Sequence, residues 1–365
     1  MKSIVFNQEK TDHKNQTMFF SEDGLNLQRY DDVKYPIFEK STDKQLSFFW
    51  RPTEISLIKD CNDFQMQFNE EHRWFFTKNL QRQMLLDSQN GRGPSLAFLP
   101  FVTLPEIEAG IVTWSAFETI HSRSYQHIIR NLYANPSEVF NGVMDDELLK
   151  ACSKDVAFHY DRFIDYGYNH LVNGNGDKKL LKKYLYLAFV NINALEALRF
   201  FVSFACTFAF TQNGLIEGVG SIMALIARDE KQHVAFTQNV LVRFPTDDPD
   251  FVDIIKECQA EAVEIYRKAA EQEMEWADYL FKDTTILGLN ANILKSYIKL
   301  MTYRRMTALG LPPCFPKSEH PIPWIEQWLS SDGVQKAPQE TEIISYRSGS
   351  VKLDITDQMF VDYVL

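Results

Sequence analysis

Long segments with helical spacing of apolar residues, broken by Gly- and Pro-bearing stretches, make up most of this chain. PIFEKSTDKQLSFFWRP, starting at Pro36, reads as a helix that ends near Trp50, because Pro52 discourages continuation. A second helix covers the seventies through Gln89 and is stopped by NGRGP at 90–94. A third starts after Pro105 and runs to about Arg130. Residues 145–170 carry a weaker helical signal, and NGNGDKK at 173–179 is a loop. An apolar helix over 180–210 follows. After Gly214–Gly220 comes a helix containing LIARDEKQHVAF, and two more fill 248–282 and 290–308. No repeat of solenoid period appears.

At Gly310 the pattern changes. LPPCFPKSEHPIPWIEQW is rich in proline and aromatics and cannot sustain a long helix, so the helical body ends there. The final stretch, QETEIISYRSGSVKLDITDQMFVDYVL, is polar, interrupted by Gly and Ser, and tipped with Met, Phe, Tyr, Val and Leu. That composition fits either a segment that orders on a partner or a frayed terminus. The expected division is a body over 1–340 and a flexible tail over 341–365.

Composition supports an all-α chain. Twenty-eight Phe against 15 Gly and 14 Pro favour long packed elements over short strands joined by turns. A net charge of −11 opposes nucleic-acid binding, which needs a basic patch to displace counterions. Five scattered cysteines without a CxxC pair favour reduced thiols and a cytoplasmic setting. The N-terminal residues turn polar too soon for a secretory signal. Residues 184–210 are long and apolar enough to suggest a membrane span. Glu196 and Arg199 in the middle make a buried core helix the better reading, and no membrane is expected.

The chemistry concentrates in two matching pairs. In ETIHSRSY, Glu118, His121 and Tyr125 stand at i, i+3 and i+7, within a sector of roughly 60° on one helix. Glu230 and His233 repeat the Glu-x-x-His spacing. Ferritin-like bundles build a di-metal centre from two such pairs plus one carboxylate from each of two other helices. Asp87 in MLLDSQ and Glu196 in NALEALRF qualify, since each interrupts an apolar helical stretch where an uncompensated charge is costly. Oxygen donors with two imidazoles suit iron or manganese better than a thiolate-type zinc site. Phe200, Phe204 and Ile226 fall at helical spacing from these carboxylates and read either as a wall that excludes water or as ordinary core. Tyr125, one turn beyond His121, is either a packed ring or a phenol at the metal's edge.

At these residues the sequence resembles the small, radical-generating subunit of class I ribonucleotide reductase. The resemblance runs from MFF at 18–20 through KQLSFFWRP, LLDSQNGRGP, FETIHSRSYQHIIRN, NALEALRF, FACTFAF and LIARDEKQH to WADYLF and APQE. It is weak over 140–182 and at the final DYVL. It implies a ferritin-like helical bundle with additional helices, in which Asp87, Glu118, His121, Glu196, Glu230 and His233 ligate two irons and Tyr125 carries a stable radical. It also implies a relay through Trp50, Asp229 and Tyr346 to a large catalytic subunit, where ribonucleotides are reduced. Asp229 would accept a hydrogen bond from His121 or from the Trp50 indole. The protein would be a homodimer that binds the large subunit through its tail. The absence of a G-x-x-x-x-G-K-[ST] loop agrees with substrate binding elsewhere. Two other readings use the same ligands: an iron-storage bundle, and a di-iron oxygenase acting directly on a small substrate.

Overall fold

The computed structural model describes residues 5–9, 12–21, 24–174 and 176–330. Tyr346 and the expected tail lie outside the described residues. In chain order the α-helices are α1 (Pro36–Ser47), α2 (Ile58–Met66), α3 (Glu70–Asn90), α4 (Gly93–Phe98), α5 (Pro105–Leu132), α6 (Pro136–Asn141) and α7 (Glu147–Asn173). They continue as α8 (Lys178–Ala194), α9 (Phe200–Gln212), α10 (Glu217–Asp247), α11 (Asp250–Leu280), α12 (Ala291–Ala308) and α13 (Glu326–Leu329). No strand occurs among the described residues, only two isolated bridges.

Local chemistry sets the boundaries. Pro36 and Pro105 begin α1 and α5, where a missing N–H costs nothing. Asn69, Asp146, Asp177 and Asn290 cap α3, α7, α8 and α12 by accepting from backbone N–H groups one turn in, each worth about 1 kcal/mol. Gly174 closes α7 in the left-handed region at φ 65°. Helix α1 stops at Ser47, three residues short of the expected end. Arg51, ahead of Pro52, is extended, and Trp50 lies in the connection with its side chain turned inward.

Helix α2 has no counterpart in the sequence reading, because IKDCNDFQM is too polar to show an apolar stripe. Its role is to begin α10. Asp60 accepts from the backbone N–H groups of Gly218 (3.2 Å) and Val219 (2.6 Å), and Asp63 accepts from that of Ile216 (3.0 Å). These orphan donors are thereby satisfied from another helix.

Four helical segments form the central bundle: α3, α5, α10 and the continuous run from α8 into α9. Helix α1 lies across α5 and α10, and α11 packs on α8 and α12. At the crossing of α5 and α10, a Cβ on Gly110 would come within 2.3 Å of the Phe236 ring, so only glycine permits the approach. The apolar window of Lys178–Gln212 is entirely buried, which makes it the core helix expected from its charges. That helix is not uniform. Leu195–Arg199 forms one π-helical turn between α8 and α9, the kind of local widening often found at functional sites.

Candidate metal centre

The six proposed ligands come from four segments. Asp87 sits near the end of α3, Glu118 and His121 on α5, Glu196 on the π-turn, and Glu230 and His233 on α10. Every one is buried. They form two groups whose ligand atoms lie within 4.8 Å of one another: Asp87, Glu118, His121 and Glu230, and then Glu118, Glu196, Glu230 and His233.

Glu118 and Glu230 belong to both groups, and their oxygens divide between them. Glu118 Oε2 lies 3.4 Å from His121 Nδ1, while its Oε1 lies 3.2 Å from His233 Nδ1. Glu230 repeats this, with Oε1 3.1 Å from His121 Nδ1 and Oε2 2.9 Å from His233 Nδ1. Each carboxylate thus spans two positions, and each histidine turns Nδ1 inward. Asp87 and Glu196 belong to one group each.

The donor set fits metal ions on a second count. Both oxygens of Asp87, Glu118 Oε2, His121 Nδ1, Glu196 Oε2 and Glu230 Oε1 are buried without a hydrogen-bond partner. An unsatisfied buried polar atom costs about 1–3 kcal/mol. Six converging on one place form a donor set that cations would satisfy.

The electrostatics agree. Burial, followed by neighbouring carboxylates, pushes Asp87 and Glu196 well above the usual carboxylate range. Burial would raise Glu118 and Glu230 as well, but hydrogen-bonding and charged partners, the two imidazoles among them, hold both below it. Burial disfavours charge on His121 and His233, yet the surrounding carboxylates raise both well above the ordinary imidazole value. Without metal the cluster retains protons that divalent cations would displace.

The outer face of each imidazole is also held. His121 Nε2 lies 3.3 Å from Asp229 Oδ2, which accepts from Trp50 Nε1 at 2.8 Å. Sequence reasoning offered His121 or Trp50 as the partner of Asp229, and the structure brings both to the same oxygen. The Asp229 side chain is fully buried. On the other side, the Gln45 amide of α1 is 2.6 Å from His233 Nε2.

Sequence reasoning missed Gln45 and three more. Asn90 Nδ2 donates to Glu118 Oε1 (2.8 Å) and to Glu196 Oε1, while its own oxygen accepts from the Tyr160 hydroxyl at 2.9 Å. Trp114 Nε1 donates to Glu118 Oε1 at 2.9 Å. Asn90, at i+3 from Asp87, and Trp114, at i−4 from Glu118, carried a usable spacing signal. Gln45 and Tyr160 did not.

Tyr125 is fully buried, one turn along α5 from His121, and its hydroxyl has no hydrogen-bond partner. Burial and then the Asp87 carboxylate push the phenol well above its ordinary value. Phe200, Phe204 and Ile226 are buried too, in the helical run that carries Glu196 and in α10.

Comparison with known proteins agrees with this geometry. A family profile described as "Ribonucleotide reductase, small chain" matches residues 28–321. The "Ribonucleoside-diphosphate reductase subunit beta" of Buchnera aphidicola subsp. Schizaphis graminum is 45% identical over 379 residues, covering 100% of both chains. Among solved structures, the ribonucleotide reductase R2 subunit from Clostridium botulinum aligns with a TM-score of 0.79 at 24% identity, over 90% of this chain and 99% of that one. A dimanganese(II)-NrdF from Streptococcus sanguinis aligns with a TM-score of 0.67 at 20% identity, over 83% and 98% respectively. These two show the shared fold. The range matched by the family profile spans the bundle and the positions of all six clustered carboxylates and imidazoles, and the full-length relative is 45% identical: the chain belongs to the ribonucleotide reductase small-chain family.

Proposed function

We propose that this chain generates and keeps a tyrosyl radical on Tyr125 and passes its oxidising equivalent to the large subunit with which small chains of the family work. Asp87, Glu118, His121, Glu196, Glu230 and His233 hold two iron ions in this reading. Bound there, the ions supply the dioxygen and one-electron chemistry that no side chain of the site performs. The carrying observation is the set of six unpartnered ligand atoms beside a buried, unpartnered phenol.

The chain's own residues do the rest. Burial excludes water from Tyr125, and Asp87, which would be a carboxylate once it ligated metal, is the group that would accept the phenolic proton. Asp229 orients His121 and joins it to Trp50. Trp50 in turn lines a surface cleft of about 420 Å³ with Arg51, Arg123 and Arg130. From there the relay continues to Tyr346 in the tail, which binds the large subunit.

Iron is the proposed metal, although the same donors suit the manganese named for the Streptococcus protein. A homodimer in the cytoplasm completes the reading, and five free cysteines agree with a reducing compartment.

The test is electron paramagnetic resonance of metal-free protein loaded with ferrous iron and exposed to oxygen. A tyrosyl signal should appear, and should vanish in Tyr125→Phe. Its persistence there would sink the assignment. Deletion of residues 345–365 should keep the signal but abolish reductase activity with the large subunit, and sedimentation of the full chain reads the dimer.

A further inference from the structure

Glu273 is a fully buried carboxylate on α11, a helix that supplies none of the clustered ligands. Its Oε1 accepts from Arg82 Nη2 and from Arg199 Nη1, the latter at 3.3 Å, while Oε2 has no partner. Both guanidinium groups are buried. The arginines stand in telling places. Arg82 lies on α3 five residues before Asp87, about 7.5 Å along the helix axis. Arg199 closes the π-turn three residues after Glu196. Asp87 and Glu196 are the two carboxylates that belong to only one metal group each.

We infer that Glu273, with Arg82 and Arg199, is a positioning tie that fixes Glu196 in its metal group; the inference rests on the ligand assignment above. A π-turn carries an extra residue relative to an α-turn, and its relaxation would rotate Glu196 against α9 by about 100°. Arg199 resists that rotation because it is held at three points, one of them Cys152 Sγ, to which Nη1 donates at 3.4 Å. Beyond Glu273, its Nη2 donates to Asp155 Oδ2 at 3.3 Å, and Asp155 is paired with Lys268. Arg82 carries the restraint across to α3, so one carboxylate couples the helix of Asp87 to the turn of Glu196. Stability alone does not explain the triad. Desolvation generally makes a well-packed apolar replacement of buried ion groups at least as stable.

The experiment adds Mn²⁺ without oxygen to the metal-free full-length chain. Calorimetry reads the affinities, and electron paramagnetic resonance distinguishes a coupled pair from an isolated ion. Wild type should take two coupled ions. Glu273→Gln should keep one ion with near wild-type affinity, weaken the second about 10- to 100-fold, and replace the coupled signal with an isolated one. A triple variant, Arg82→Met with Arg199→Met and Glu273→Met, removes the tie without stranding a charge and should behave alike. Wild-type affinity for both ions in either folded variant overturns the inference. So does equal weakening of both ions together with a general fall in melting temperature, which is the mark of a merely structural triad. Failure of wild type itself to take two ions would refute the ligand assignment instead.

Discussion

Trp50 and Asp229 lie 179 positions apart in sequence and meet through a 2.8 Å hydrogen bond from indole Nε1 to carboxylate Oδ2. The same oxygen is 3.3 Å from His121 Nε2. A single atom therefore connects an imidazole of the buried cluster to the side chain that lines a surface cleft. Removing Trp50 should cut the connection outward while leaving the metal side complete.

Trp50→Phe is accordingly expected to form the tyrosyl signal normally and to lose at least about 100-fold of reductase activity with the large subunit, roughly 2.7 kcal/mol. Radical yield by paramagnetic resonance and turnover in the assembled enzyme check this together. A variant that keeps full turnover removes Trp50 from the relay.

The six clustered carboxylates and imidazoles were legible because their signals are local. Glu-x-x-His occurs twice at helical spacing, and Asp87 and Glu196 interrupt apolar runs where a charge needs compensation. The long helices were legible for the same reason. What escaped depends on tertiary contact. Gln45 and Tyr160 reach the site from helices with no other part in it, and no periodicity marks a polar residue for that task. The π-turn escaped because LEALR at 195–199 contains no Gly or Pro to mark a break in the helical spacing. Trp50 was read as the end of α1, yet the chain leaves the helix at Ser47 so that the indole can reach Asp229.

Metal should stabilise the protein more as pH rises. His121, His233, Asp87 and Glu196 all hold protons more tightly folded than unfolded in the metal-free chain. Such groups give their full stabilisation below their unfolded values, about 6.5 for histidine and about 4 for the acids, and lose it as pH climbs through the folded values. Glu118 and Glu230, shifted downward, lose theirs only as pH falls through and below the carboxylate range. As pH rises through and above the unfolded histidine value of about 6.5 the site therefore weakens the metal-free fold, while metal binding strengthens because fewer protons must be displaced. The gain in melting temperature on adding Mn²⁺ should be larger at pH 8.5 than at pH 6, a contrast of roughly 2.5 pH units chosen to straddle the imidazole range. A gain independent of pH contradicts the protonation described.

Gly110→Ala should destabilise the fold by about 1–3 kcal/mol in urea unfolding, since overpacking a close helix crossing forces the neighbours apart. The new methyl would meet Phe236 Cε2 at 2.3 Å. Because the displaced helices carry the two Glu-x-x-His pairs, metal affinity should fall with stability. A second change, Phe236→Leu, should recover part of both by making room. Recovery of stability without affinity would show that the crossing does not set the ligand spacing.

Asn90 is the sharpest test of how the carboxylates are held. Its amide donates to Glu118, shared by both metal groups, and to Glu196, which belongs to one. Glu118 keeps a second donor in Trp114 Nε1, whereas the donor described for Glu196 is Asn90. Asn90→Ala should thus weaken the ion of the Glu196 group about 10- to 100-fold, with a smaller loss at the Asp87 group. It also strands the Tyr160 hydroxyl, which donates to Asn90 Oδ1 at 2.9 Å, at a cost of about 1–3 kcal/mol. Asn90→Asp keeps an acceptor for Tyr160 but sets another carboxylate beside the existing ones, so it should lower metal-free stability further. Stepwise Mn²⁺ calorimetry and thermal melts of both variants separate these effects. Equal affinities for both ions in Asn90→Ala would mean that packing alone orients Glu196.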